Sequence, residues 1–141
     1  MPGETAEQAD AAGVRLLLDT HALVWWWTDD RRLTAAARAA IADPANVVLV
    51  SAASAWEIAT KHRLGKWEEV APLVDGFDDL LRRSRFAPLP ITPTQARLAG
   101  AMDWAHRDPF DRMLLAQTRD EGVSLVSGDA VFQGCDVRVI W

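Results

Sequence analysis

Asp19, Glu57, Asp111 and Asp129 stand in the settings LLLDTH, VSAASAWE, HRDPFDR and LVSGDAVF, each where a strand-like run gives way to a helix or turn. No matching set of Lys or Arg accompanies them. Two carboxylates about 4 Å apart repel by roughly 4 kcal/mol at an effective dielectric of about 20. A helix N-terminus relieves only about 0.3–1 kcal/mol of this for each acid. A hard divalent cation with oxygen ligands offsets the remainder, which points to Mg²⁺, with Mn²⁺ as a substitute. Zinc fits poorly, because His21, His62 and His106 are scattered and Cys135 is the single cysteine. Carboxylate-held Mg²⁺ suits phosphodiester hydrolysis: it acidifies a bound water, orients it for in-line attack and stabilises charge on the phosphate. Thr20, Ser51 and Ser127, at the same strand ends, are candidates to hold metal-bound waters.

Each acid also has a structural reading. Ser54-Ala-Trp-Glu57 spells a capping box, in which Glu57 satisfies a backbone N–H at a helix start. Asp108-Pro109-Phe110-Asp111 has similar grammar, with Asp108 as N-cap and Pro109 at the first helical position, where its missing N–H costs nothing. Glu57 has the i,i+4 spacing to pair with Lys61, and Asp129 after Gly128 suits a turn. What separates these acids from ordinary caps is their common place at strand ends.

The surrounding elements set that place. Val14–Leu18 and Val47–Val50 are short continuous apolar runs, the pattern of buried parallel strands. Phe86–Ile91, Val123–Val126 and Val137–Ile140 complete five strands. Helical patterns run over Ala22–Trp27 with Thr20 as N-cap, Thr34–Ala42 stopped by Asp43-Pro44, and Ser54–Leu64 closed by Gly65. A helix or helix pair covers Trp67–Arg83, broken near Pro72 and Gly76. Pro93–Met102 is helical, Asp103–Arg107 is a polar loop, and Asp111–Asp120 is a helix closed by Gly122. Alternating strands and helices predict an α/β fold, a three-layer α/β/α sandwich around a five-stranded, mostly parallel sheet. In such a sheet the junctions share one edge, where ligands bind. The order of the strands does not follow from periodicity.

The chain has 141 residues, half of them hydrophobic and a quarter charged, which suits one soluble domain over residues 14–141. Residues 1–13 carry no basic or apolar stretch and read as a disordered leader. No apolar run reaches the roughly 18 residues of a membrane span. A lone cysteine fits a reducing cytoplasm. The net charge of −5 argues against a general nucleic-acid coat protein, though not against an enzyme that grips a few phosphates.

LLLDTHALVWW, SAASAWEIATKHRLGKW, HRDPFDRMLLAQ and the closing SGD–F, in this order from about Val14 to Trp141, resemble the PIN-domain ribonucleases. They are most similar to the VapC-type toxins of bacterial toxin–antitoxin pairs. The resemblance implies a sheet ordered 3-2-1-4-5, Mg²⁺-dependent cleavage of RNA, a cognate antitoxin and a homodimer. It maps the family's acidic quartet onto Asp19, Glu57, Asp111 and Asp129 as catalytic and metal-binding residues. At Asp129 the chain has Ser-Gly-Asp where the commoner pattern is Thr-x-Asp, and Ser127 offers the same hydroxyl.

An RNA substrate needs local positive charge. Lys61, Arg63 and Lys66 follow Glu57, and Arg107 and Arg112 bracket Asp111, so these are candidate phosphate contacts; the alternative is a solvated helix end. Seven Trp stand beside no Tyr. Trp25, Trp26 and Trp27 spread over roughly 200° of a helix and cannot share one core. The plainer expectation is two buried and one exposed; the sharper one gives at least one to a protein interface. His106 lies nearest the acids and reads as a loop hydrogen-bonding residue, and Cys135 as a small hydrophobe.

Rival chemistries fit less well. A receiver-type phosphoacceptor domain needs a Lys near a late strand, and none follows Lys66. A haloacid-dehalogenase-type phosphatase needs Asp-x-Asp where this chain has Asp19-Thr20-His21. A catalytically silent PIN-fold protein that acts only through its antitoxin partner is the remaining alternative, disfavoured by the intact quartet.

Overall fold

The computed structural model describes residues 13–141. Apart from Gly13, the expected leader lies outside the described residues. The apolar run Leu16–Leu18 is buried on both faces, as a central parallel strand requires. It belongs to β1 (Arg15–Leu18), which pairs in parallel with β2 (Val47–Ser51) on one side and β4 (Ser124–Val126) on the other. β3 (Ala87–Leu89) flanks β2 and β5 (Val139–Ile140) flanks β4, which gives the order β3-β2-β1-β4-β5 with every pair parallel. The expected order is therefore present, and the sheet is wholly rather than mostly parallel.

The strand alternation separates two cores. Leu16, Leu18, Val48, Val50 and Val126 face one core with α1 (Thr20–Trp27), α2 (Ala35–Ala42), α3 (Ala52–Arg63), α4 (Ala71–Asp75) and α5 (Phe77–Ser84). Leu17, Leu49, Leu89 and Leu125 face the other, closed by Leu114 and Leu115 of α7 (Pro109–Glu121). α6 (Pro93–Ala101) packs against α7. The chain builds outward from β1 to β3, then crosses to β4 on the far side of β1. A crevice opens where such an order reverses, here between the ends of β1 and β4.

Three expected helix starts move. Asp19, not Thr20, is the N-cap of α1, accepting from the Ala22 N–H at 2.7 Å. α3 starts at Ala52 behind the Ser51 cap, so Ser54 lies inside the helix and no Ser54–Glu57 capping box forms. Pro109 opens α7 behind the Asp108 N-cap, as the Asp108-Pro109 pattern predicts and two residues before the Asp111 start of the helical run, and Gly122 closes it with φ +64°, a left-handed conformation that suits glycine. Pro72 does not break the chain but sits in the first turn of α4; Gly76 makes the break. Trp25, Trp26 and Trp27 are all half-buried, so the two-in, one-out expectation is corrected. The exposed indole is Trp56, at 58%.

Candidate active site

Asp19 follows β1 directly. Its cap bond fixes the carboxylate at the start of α1, and the group is 5% exposed. Burial, reinforced by the charges of Asp111 and Asp129, outweighs the hydrogen bonds from Ser127 and the Ala22 amide and pushes its pKa up to about 7. Ser127 also accepts from the Asp129 N–H at 3.0 Å, so one hydroxyl links the acids after β1 and β4. Asp129 accepts from the Val131 N–H and caps a short 3₁₀ turn, Ala130–Phe132.

Asp111 reaches the same region from the first turn of α7. Asp108 is the N-cap, accepting from the N–H groups of Phe110 and Asp111, which leaves the Asp111 side chain free to face the crevice. Burial raises its pKa, helped by the charges of Asp108 and Glu57 and opposed by the His106 hydrogen bond. That bond joins His106 Nε2 to Asp111 Oδ2 at 2.7 Å, so the loop role expected of His106 ends on one of the acids. Glu57 is 3% exposed on α3 and carries its own counter-ion, the Lys61 ammonium one turn away.

The structure thus couples Asp19 electrostatically to Asp111 and Asp129, and Asp111 to Glu57. Among the described residues, no three His, Cys, Asp or Glu side chains form a ready-made metal cage. The donor set nevertheless suits Mg²⁺, which is commonly held by one or two carboxylates and otherwise keeps its waters. Asp19 and Asp111 are the acids whose carboxyls burial, and then neighbouring carboxylates, push up, an electrostatic cost that a bound cation would relieve.

Several other expectations change. The Ser51 hydroxyl donates to Gln117 Oε1 and accepts from the Ala53 N–H, so it is occupied away from any metal-bound water. Thr20 Oγ1 lies 3.0 Å from Ser54 Oγ, a bond that ties α1 to α3. The Arg112 guanidinium binds the carbonyls of Ala99, Met102, Trp104 and His106. It clamps the loop before α7, with its donors engaged by backbone carbonyls rather than free for a phosphate. Arg63, Lys66 and Arg107 are exposed and form no ion pair with described residues. Lys61 is engaged by Glu57.

Sequence reasoning missed Arg32 and Trp141, which line a cleft with Asp19, His21, Trp25 and Asp129. Their positions depend on how α1 and the last strand meet, which no local spacing encodes. It missed Gln117 as well, a buried amide that bridges Ser51 and Gln95.

Comparison with known proteins agrees with this architecture. VapC20 of Mycobacterium tuberculosis, described as a sarcin–ricin loop cleaving toxin, superposes with a TM-score of 0.62 at 16% identity, covering 86% of this chain and 95% of that one. VapBC2 from Rickettsia felis, bound to a promoter DNA fragment, gives 0.58 at 13% identity over 89% and 96% of the two chains. These likenesses show a shared fold. Ribonuclease VapC16 of Mycobacterium tuberculosis is 44% identical over 54 residues, and the chain spans 38% of that relative's length, a stretch equal to 38% of its own. Residues 16–136 match the PIN domain family, nearly the whole span from β1 to the edge of β5. With this sheet order and these acids at the strand ends, the chain belongs to the PIN domain family.

Proposed function

We propose that this PIN domain is a divalent-cation-dependent endoribonuclease and the toxin of a VapC-type toxin–antitoxin pair. The observation that carries the reading is the buried Asp19 carboxylate at the end of β1, electrostatically coupled to Asp111 and Asp129 at the reversal point of the sheet. A protein gains nothing in stability from charges that repel in a buried crevice, whereas a metal site requires them. Asp19 and Asp111 would hold Mg²⁺ or Mn²⁺, with Asp129 and the Lys61-paired Glu57 at its margin. The bound ion would supply an acidified water and charge stabilisation at the scissile phosphate. The Ser127 hydroxyl bonds the Asp19 carboxylate and accepts from the Asp129 backbone N–H, so it holds the turn that carries Asp129 against Asp19. Exposed Arg63, Lys66 and Arg107 would draw the RNA backbone toward a chain that is acidic overall. A cognate antitoxin would restrain the activity in the cytoplasm, and a homodimer is the expected assembly.

The experiment is brief induction of the chain in cells without antitoxin, followed by sequencing of RNA 5′ ends. Discrete new ends with the native chain, absent with Asp19→Asn, support the reading. No new ends with either chain, or growth arrest that persists in Asp19→Asn without cleavage, would favour a silent binding protein.

A further inference from the structure

Beside the acids lies a cleft of about 460 Å³, lined by Asp19, His21, Trp25, Arg32, Asp129 and Trp141. Its composition differs from a metal pocket. Trp25 and Trp141 stand 5.8 Å apart between centroids, and His21 lies 5.5 Å from Trp25. The Arg32 guanidinium sits 4.8 Å above the Trp25 ring, steadied by two hydrogen bonds to Asp30. Gly128 makes the wall possible: a Cβ there would fall 2.3 Å from Trp141 Cε2, so only glycine lets this indole close on the turn. Trp25 Nε1 is buried with no partner among the described residues, whereas Trp27 donates to Ser84 and Trp67 to Glu69.

Resting on the nuclease reading, we infer that this cleft is a nucleobase pocket, taking one unpaired RNA base beside the phosphate at the acids. Aromatic and guanidinium faces stack on any base, and the Asp129 carboxylate, at the margin of the metal site, accepts from a base amino group. Paired RNA keeps its bases stacked and inaccessible, so the pocket selects unpaired strands. An apolar side chain of a protein partner would use the rings but leave Arg32 and the Asp129 carboxylate without complement.

The test uses the full chain in EDTA and fluorescence anisotropy with a labelled oligoadenylate of about 12 nucleotides, a typical single-strand site size. An abasic strand of the same length and charge is the reference. The native chain is expected to prefer the oligoadenylate by roughly tenfold to a hundredfold, the scale of stacking on an aromatic side chain. Trp141→Leu and Gly128→Ala should each reduce that preference to within about threefold, the range left by backbone contacts alone. Trp141→Phe should retain most of it, Arg32→Gln should lower it, and Trp56→Leu should leave it intact, with thermal melting showing that each variant folds.

A native chain that cleaves RNA with Mg²⁺ yet binds both strands equally overturns the pocket and leaves the nuclease reading standing. Loss of the preference in Trp56→Leu instead of Trp141→Leu overturns it as well. So does a Trp141→Leu variant that weakens only antitoxin binding, which would make the cleft a protein-docking site. A chain that cleaves nothing overturns the nuclease reading, and the pocket with it.

Discussion

The Lys61 ammonium rests on the Glu57 carboxylate one turn earlier on α3, and Glu57 is almost fully buried. The same ammonium lies 5.9 Å from the Trp67 ring and 6.0 Å from the Phe110 ring. Among the acids at the strand ends, Glu57 pairs with a Lys ammonium and Asp111 with the His106 imidazole, whereas Asp19 is held by hydrogen bonds from Ser127 and the Ala22 N–H. The quartet therefore divides by the partner each acid has, and Asp19, like Asp129, has no basic side chain bonded to it among the described residues.

Lys61→Met should strand a buried carboxylate and cost about 1–3 kcal/mol, below the full cost of breaking a buried pair because Lys61 is partly solvated. Glu57→Gln in the same chain should restore most of the loss. Urea denaturation of the single and double variants measures this coupling; additive losses would mean the pair contributes nothing.

Asp19 sets a pH dependence. Its carboxyl is raised from the ordinary range to about 7, so between those values the folded chain binds a proton that the unfolded chain releases. The associated stability is fully present below the ordinary carboxylate range and is lost as pH rises through about 7. Asp19→Asn should therefore melt higher than the metal-free native chain near pH 8, by up to about 4 kcal/mol of stability. The gap should close near pH 4. Calorimetric melts in EDTA across that range check the trend, and a gap that widens toward low pH would contradict it.

His106 holds Asp111 down against burial and the charges of Asp108 and Glu57. His106→Ala should let that pKa rise further, so that protons compete better with a cation. Mn²⁺ affinity from titration calorimetry should fall by about tenfold, and more near pH 6 than near pH 8. An affinity unchanged at both values would detach His106 from the site.

Gln117 is fully buried and spans Ser51, the Pro90 carbonyl and Gln95, which in turn reaches Asp120. This amide ties the end of β2 to α7 and α6. Gln117→Leu keeps most of the volume but leaves the buried Ser51 hydroxyl without its acceptor, at about 1–3 kcal/mol, while Gln95 keeps its bonds to Thr92 and Asp120. A melting temperature within a degree of native would show that water replaces the amide.

Much of the layout was legible because it depends on short-range rules. Leu16–Leu18 can satisfy both faces only as a central strand, and Asp108-Pro109 can begin a helix without losing a bond. The helix starts at Ala52 and Thr20 were misplaced for a physical reason: several hydroxyls and carboxylates near each junction can cap. Tertiary contacts chose Ser51 and Asp19 and drew Ser54 and Thr20 into a bond across α1 and α3. Arg112 was unreadable for a related reason. Its charge suggested phosphate, yet the loop carbonyls from Ala99 to His106 converge on it only in the folded chain. The resemblance supplied the strand order, and the local pattern supplied the acids.

The central claim is that Asp19 and Asp111 hold a cation which drives RNA cleavage. The direct measurement is cleavage of total cellular RNA by the purified, antitoxin-free chain with Mg²⁺, with EDTA, and in the Asp19→Asn and Asp111→Asn variants. Cleavage should require the metal and fall by at least about a hundredfold in each variant, the scale of losing a catalytic electrostatic contact. Equal cleavage in EDTA, or variants as active as the native chain, would contradict the account.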